Sequence, residues 1–179
     1  TFLAKSFPEG GYTSYADLLL NAGKRYGVNP FILASKLINE HGSDGDSGSI
    51  SGKVKGYEGY YNYFNIGAYA HSGRTAIENG LIYAKEHGWD SREKSIMAGT
   101  EFFAKDYIKN NKTTAYFQKF NVMNGASAVA TGQYMTALWG ANSTGRTLGK
   151  GYASAYSSAL TFEIPVYLNM PTLPVPYPR

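Results

Sequence analysis

The chain has 179 residues, 43% of them apolar, which is enough for one domain with a single substantial core and gives no reason to expect disorder. It contains no cysteine, which excludes disulfides, thiolate metal sites and a cysteine nucleophile. The net charge of +4 favours polyanionic surroundings, yet lysines and arginines are scattered, with Lys53/Lys55 and Lys109/Lys112 the nearest approach to clusters. No nucleic-acid partner is therefore expected.

Sixteen tyrosines against only 17% charged residues imply a surface made polar by Tyr, Ser, Thr and Asn. No apolar run approaches the ~18 residues of a membrane span, and no signal peptide is visible, so the chain as it stands reads as soluble with any export signal outside it.

Residues 1–11 end in Pro8-Glu9-Gly10-Gly11 and read as a linker or docking arm, with the fold proper beginning at Tyr12. Thr13 or Ser14 can cap a first helix that runs to Tyr26, turns Leu18, Leu19 and Ala22 inward, and stops at a left-handed Gly27. The second helix is the best signalled: Asn29 caps it, Pro30 takes its first position and Gly42 ends it, giving a rod of ~18 Å. Ile32, Leu33, Leu37 and Ile38 imply that most of this helix is buried, and Glu40 projects from its last turn. Burial and the negative end of the helix dipole would both favour the protonated form of that acid.

Ser43 to Gly56, rich in glycine and serine, reads as an extended mobile loop bordering a site, and Tyr57 to Tyr69 as a short hairpin or irregular strand pair. A helix is expected from Thr75 to Glu86, closed by Gly88. Asp90 and Glu93 form a capping-box-like start to a long buried helix reaching about Asn110. Shorter helices are expected at Tyr116–Phe120, Gln133–Leu138 and about Tyr152–Phe162. Residues 165–179 hold five of the seven prolines and read as an extended C-terminal extension.

One acid at a rigid helix end beside a ring-rich surface suits glycoside cleavage, which needs a proton for the leaving oxygen and support for an oxocarbenium-like centre. Glu40 is the acid candidate. A second carboxylate could be Asp44, Asp46, Glu58 or Glu78, with Glu58 the most suggestive because it sits among the aromatics. An N-acetyl group on the sugar can also serve as the nucleophile, so the mechanism stays open at this point. Tyr57, Tyr60, Tyr61, Tyr63, Phe64 and Tyr69 offer faces for sugar rings, although alternation along a strand would send Tyr61 or Phe64, at least, into the core.

His41, His71 and His87 lack paired ligand spacing, and Asp44-Gly-Asp46-Ser-Gly48 begins a calcium loop without its closing glutamate. No metal or cofactor is expected. Neither a Gly-x-Ser-x-Gly elbow nor a phosphate-binding Gly-x-x-x-x-Gly-Lys loop occurs.

The ordered motifs Ile32-Leu-Ala-Ser-Lys-Leu-Ile-Asn-Glu40-His-Gly42, Gly48-Ser-Ile-Ser-Gly52, Gly59-Tyr-Tyr-Asn-Tyr-Phe-Asn-Ile-Gly-Ala68, Gln133-Tyr-Met-Thr136 and Ile164-Pro-Val-Tyr-Leu-Asn-Met-Pro171 resemble the glucosaminidase domains of glycoside hydrolase family 73, the autolysin type of Gram-positive bacteria. The resemblance spans roughly Tyr12 to Pro171. It implies a mainly α, lysozyme-like domain (12–164) with a small β-hairpin lining a glycan cleft, which hydrolyses the β-1,4 bond after N-acetylglucosamine in peptidoglycan. Glu40 falls on the family's catalytic acid and Tyr134 on a tyrosine facing the cleft. Asn62, Phe64, Asn65 and Ile66 fall on the cleft-lining motif, with Tyr61 and Tyr69 beside them as further substrate-binding candidates. The family's second carboxylate is not fixed among members.

The implied setting is a secreted, wall-associated monomer that acts on peptidoglycan glycan strands, held near them by anionic wall polymers, without membrane insertion. Other readings are a lytic transglycosylase or muramidase on the same scaffold, and a non-catalytic glycan-binding module.

Overall fold

In a computed structural model of the protein, the residues described are 1–119, 139–153, 161, 163, 166, 168, 169 and 171–173. Their regular structure is helical: α1 (Tyr15–Tyr26), α2 (Pro30–His41), α3 (Gly48–Ser51), α4 (Ala76–Glu86), α5 (Arg92–Asp106), α6 (Ala115–Lys119) and α7 (Gly140–Tyr152), with short 3-10 turns at Phe2–Ala4 and Ile108–Asn110. The mainly helical class expected from the sequence holds. No described helix is long and apolar enough to cross a membrane.

Local signals set most helix boundaries. Ser14 caps α1 by accepting from the Asp17 N–H, and Gly27 closes it at φ 71°. Asn29 caps α2 by accepting from the Phe31 N–H, Pro30 holds the first position, and the Gly42 N–H returns to the Ile38 carbonyl at 2.8 Å. Thr75 and Glu78 form a reciprocal capping box at the start of α4. The cap of α5 is Ser91, one residue beyond the expected Asp90, and Asp90 instead pairs with Lys94 one turn on.

The core gathers α1, α2 and α5. Leu18, Leu19 and Ala22 of α1 meet Leu33 and Leu37 of α2 and Ile96, Phe103 and Ala104 of α5, all buried. The N-terminal arm contributes as well: Phe2, Leu3 and Phe7 are buried, with Phe2 and Phe7 edge-on to Tyr15 at 5.5 and 5.0 Å. Glu9 then accepts from the Arg92 backbone and guanidinium, tying the arm to the start of α5.

Three expectations differ from the structure. Residues 57–69 form no β-ladder: the described residues contain only two isolated bridges, Ser6 with Ser14 and His71 with Arg74. The segment is a succession of turns, because Gly59, Asn65 and Gly67 adopt left-handed φ values (79°, 50°, 71°), which interrupt an extended strand. The loop after α2 contains the one-turn helix α3, capped by Ser47. The helix α7, from Gly140 to Tyr152, has no counterpart among the expected elements; it packs on α2, with the Tyr152 ring tilted against Phe31 at 4.6 Å and its hydroxyl accepting from Asn29 Nδ2 at 2.7 Å. The helix expected at Gln133–Leu138 lies outside the described residues, as does most of the one expected at about Tyr152–Phe162.

Candidate active site

Glu40 sits one residue before the end of α2 and is exposed, so the burial expected for it is absent. Its rod is fixed by Leu33 and Leu37, both fully buried, which places the carboxylate at the surface on a rigid base. Asn65 Nδ2 donates to Glu40 Oε2 at 3.0 Å. Asn65 is one of three non-glycine residues with positive φ among those described, and asparagine tolerates that conformation better than most residues.

Glu40 lines two hollows at once. The first, about 270 Å³, is walled by Ser47 and Ser49 of the α3 turn, Phe64 and Asn65 of the turn segment, and Ala76 and Ile77 of α4. The second, about 200 Å³, lies toward α6 and α7 and includes Lys36, Lys119, Ser143 and Thr144. An acid between two hollows is the arrangement a chain-like ligand needs if its scissile bond is to lie over the carboxyl group.

The turn segment is held from inside. Asn62 is fully buried: its Nδ2 donates to the Ile66 and Gly80 carbonyls at 2.8 Å each, and its Oδ1 accepts from the Ile66 N–H at 3.1 Å. Asn62 and the Ile66 backbone thus shape the loop; the Asn62 side chain has no exposed surface, while Ile66 is half-buried. Tyr61 is also committed elsewhere, accepting from Arg92 Nη1 at 3.0 Å with the guanidinium over its ring at 4.4 Å. Tyr63 is buried, and its hydroxyl lies 2.9 Å from that of Tyr15. Burial pushes the Tyr63 phenol well above its ordinary range, and the Tyr15 partner adds to this.

Phe64 is half-buried and lines the first hollow, with its ring so close to α5 that a Cβ on Gly99 would fall 2.2 Å from Phe64 Cδ2. Tyr69 is 64% exposed and stacks on His71 at 4.8 Å, a flat face open to solvent. Of the expected binding set, Tyr69 is exposed, Tyr61, Phe64, Asn65 and Ile66 are half-buried, and Phe64 and Asn65 line the first hollow. Tyr134 lies outside the described residues.

The candidate second carboxylates are otherwise placed. Glu78 belongs to the capping box, and its hydrogen bonds with Thr75 lower its pKa. Glu58 accepts from the Gly56 N–H at 3.0 Å within its own turn. Asp44 and Asp46 line neither hollow. Among the described lining residues Glu40 is the one carboxylate, and residues 120–138, 154–160 and 174–179 contain no Asp or Glu. Among the described residues no three His, Asp or Glu side chains converge as metal ligands.

His41, beside Glu40, faces inward and its Nε2 bonds the Tyr63 carbonyl at 2.8 Å, so the turn segment is fastened to the same helix end that carries the acid. Sequence reasoning missed this link, and also the Glu9–Arg92–Tyr61 group. Neither has a local signal, because each joins residues more than twenty positions apart.

The fold and site together define a helical domain with one surface acid over a divided cleft, and known proteins of this class exist. No family model matches the chain. It is 33% identical over 153 residues to a bifunctional autolysin of Staphylococcus epidermidis, covering 82% of this chain and 11% of that protein. It is 31% identical over 159 residues to a beta-N-acetylglucosaminidase of Bacillus subtilis, covering 89% of this chain and 17% of that protein. The chain therefore spans between a tenth and a fifth of the length of these curated relatives.

Among solved structures, S. aureus Autolysin E in complex with the muropeptide NAM-L-Ala-D-iGlu superposes with a TM-score of 0.62 at 31% identity, over 78% of this chain and 59% of that one. A catalytic mutant of the same autolysin, a glutamate replaced by alanine, was solved with the disaccharide NAG-NAM and gives 0.61 at 29% identity, over 78% of this chain and 59% of that one.

Proposed function

We propose that the protein is a peptidoglycan hydrolase of glycoside hydrolase family 73 that cleaves the β-1,4 bond after N-acetylglucosamine, with Glu40 as general acid. The observation that carries this reading is Glu40 itself: a carboxylate on a rigid helix end, hydrogen-bonded by Asn65 and shared by two hollows. Similarity to proteins named autolysin and beta-N-acetylglucosaminidase supports the substrate class. A related structure whose catalytic mutation removes a glutamate supports the role of the acid.

Glu40 gives its proton to the glycosidic oxygen as the bond to C1 breaks. With no second carboxylate among the described residues lining either hollow, the reading that fits is attack on C1 by the acetamido oxygen of the substrate, followed by water, which returns a proton to the Glu40 carboxylate. Early products of the β-anomer would support this course, and α-anomers would overturn it. Through the motif resemblance Tyr134 joins the cleft, and Tyr134→Phe should lower kcat while leaving thermal stability unchanged.

The protein acts outside the cell at the wall, where a net charge of +4 favours retention by anionic polymers; wall binding insensitive to salt would refute that part. The test of the whole reading is mass spectrometry of reduced digestion products from purified peptidoglycan. Wild type should yield reduced N-acetylglucosamine ends, and Glu40→Gln should cut the rate about a thousandfold with wall binding kept. Reduced N-acetylmuramic or anhydro-muramic ends would replace this activity with a muramidase or a transglycosylase, and binding without products would leave a glycan-binding module.

A further inference from the structure

The second hollow differs from the first in its charge. Its floor is α2, which supplies Lys36, Asn39 and Glu40; α6 contributes Lys119, and the first turns of α7 contribute Ser143 and Thr144. Lys36 is half-buried, with its ammonium over the Phe103 ring at 4.5 Å and the Tyr107 ring at 5.4 Å, so the stem is held and the charge has a defined place. Neither Lys36 nor Lys119 belongs to an ion pair among the described residues. Residues 120–138, which link α6 to α7, contain no charged side chain to neutralise them. Two cations thus share the hollow with one carboxylate.

We infer that this hollow is a carboxylate-binding subsite, in which Lys36 and Lys119 hold an acidic substituent of the glycan strand beside Glu40. The inference rests on the glycan-hydrolase reading of the same site and adds which side of the acid takes the charged sugar. An arriving carboxylate would accept charge-assisted hydrogen bonds from the two ammonium groups, with the Ser143 and Thr144 hydroxyls as neutral donors at the rim. Burial, and then the neighbouring Lys119 charge, pull the Lys36 ammonium down to about 8 against a smaller upward contribution from Glu40, and a further anion in the hollow would offset the Lys119 repulsion. The first hollow, lined by Ser47, Ser49, Phe64, Asn65, Ala76 and Ile77 besides Glu40, has no cation among its described lining and suits an uncharged sugar.

The shared chemistry is a carboxylate, which a muramic strand presents either on its stem peptide or, once the peptide is removed, on its lactyl group. Binding is measured in the Glu40→Gln protein for peptide-bearing strands, peptide-free strands, the same strands with carboxylates amidated, and an N-acetylglucosamine oligomer. Carboxylate-bearing strands should bind about tenfold more tightly than their amidated forms, and adding Lys36→Met should bring that ratio close to one. Whichever of the peptide-bearing and peptide-free strands shows the larger ratio identifies the carboxylate.

Lys119→Gln, on α6, provides a second variant that does not disturb the rings under Lys36, and it should reduce the ratio by about threefold. A ratio of one before either lysine is replaced, or one unchanged by both replacements, overturns the subsite. Loss of product release by the wild-type protein would instead sink the hydrolase reading, while the binding ratio would still decide the subsite.

Discussion

Residues 57–63 and residues 64–71 are adjacent in the chain and both carry aromatic rings, yet they face different partners. The earlier stretch points inward: Tyr61 meets Arg92, Asn62 fills its hydrogen bonds with Ile66 and Gly80, and Tyr63 meets Tyr15 and receives His41 on its carbonyl. The later stretch reaches the first hollow through Asn65 and through Phe64, whose ring also rests on α5 at Gly99, and leaves Tyr69 open to solvent. An aromatic-rich run is therefore not a binding surface by composition alone. One stretch anchors the segment and the next presents it, and the boundary falls between Tyr63 and Phe64.

Substitutions can break that division or sharpen it. The largest effect should come from Tyr63→Ala, which opens a cavity in the core and leaves Tyr15 without its hydroxyl partner; chemical denaturation should show a loss of about 4 kcal/mol. Asn62→Ala strands the Ile66 N–H and carbonyl at a buried site and removes the extra bond to the Gly80 carbonyl; it should cost about 2–3 kcal/mol by the same measurement, with activity falling because the turn loosens.

Asn65→Gly retains the left-handed backbone but deletes the bond to Glu40, so kcat should fall about tenfold, roughly 1.4 kcal/mol, with little change in melting temperature. Tyr69→Ala removes an exposed ring and should raise KM about threefold with kcat and stability unchanged. If Tyr69→Ala destabilised the fold while Tyr63→Ala did not, the inward and outward assignment would be reversed.

A pH series tests the inward side without removing a ring. Burial lowers the His41 pKa from its ordinary 6.5, against smaller opposing contributions from the Tyr63 carbonyl and the Glu40 charge. The unfolded chain then takes up a proton at His41 before the folded one does. Stability is full above about 6.5 and declines as pH falls below it toward the folded value. His41→Gln should flatten the stability profile across that window, as read by denaturation midpoints at each pH.

Much of the frame was legible because its signals are local. Asn29, Pro30 and Gly42 mark both ends of α2 within the sequence of the helix itself, and so fix where Glu40 emerges. The helix α7 gave no such signal: Trp139 supplies no side-chain cap, and Gly140, Gly145, Gly149 and Gly151 lower its helical propensity. It stands through contact with α2, including Tyr152 on Phe31 and Asn29, which joins residues over a hundred positions apart. Glu78 was misleading for the opposite reason, since a carboxylate three residues after Thr75 serves a helix start as well as it would serve catalysis. The turn chemistry of residues 57–69 was hidden because Asn62 supplies, from its side chain, the bonds that a ladder would otherwise make.

Gly99 stands on α5 against the Phe64 ring and is no part of the lining of the first hollow. Since even a methyl group there would collide with the ring, the missing side chain works as a depth stop: it lets the aromatic wall recede and so sets how much room remains in front of Glu40. The bulk that hollow admits is then adjustable from behind, by a residue outside its lining.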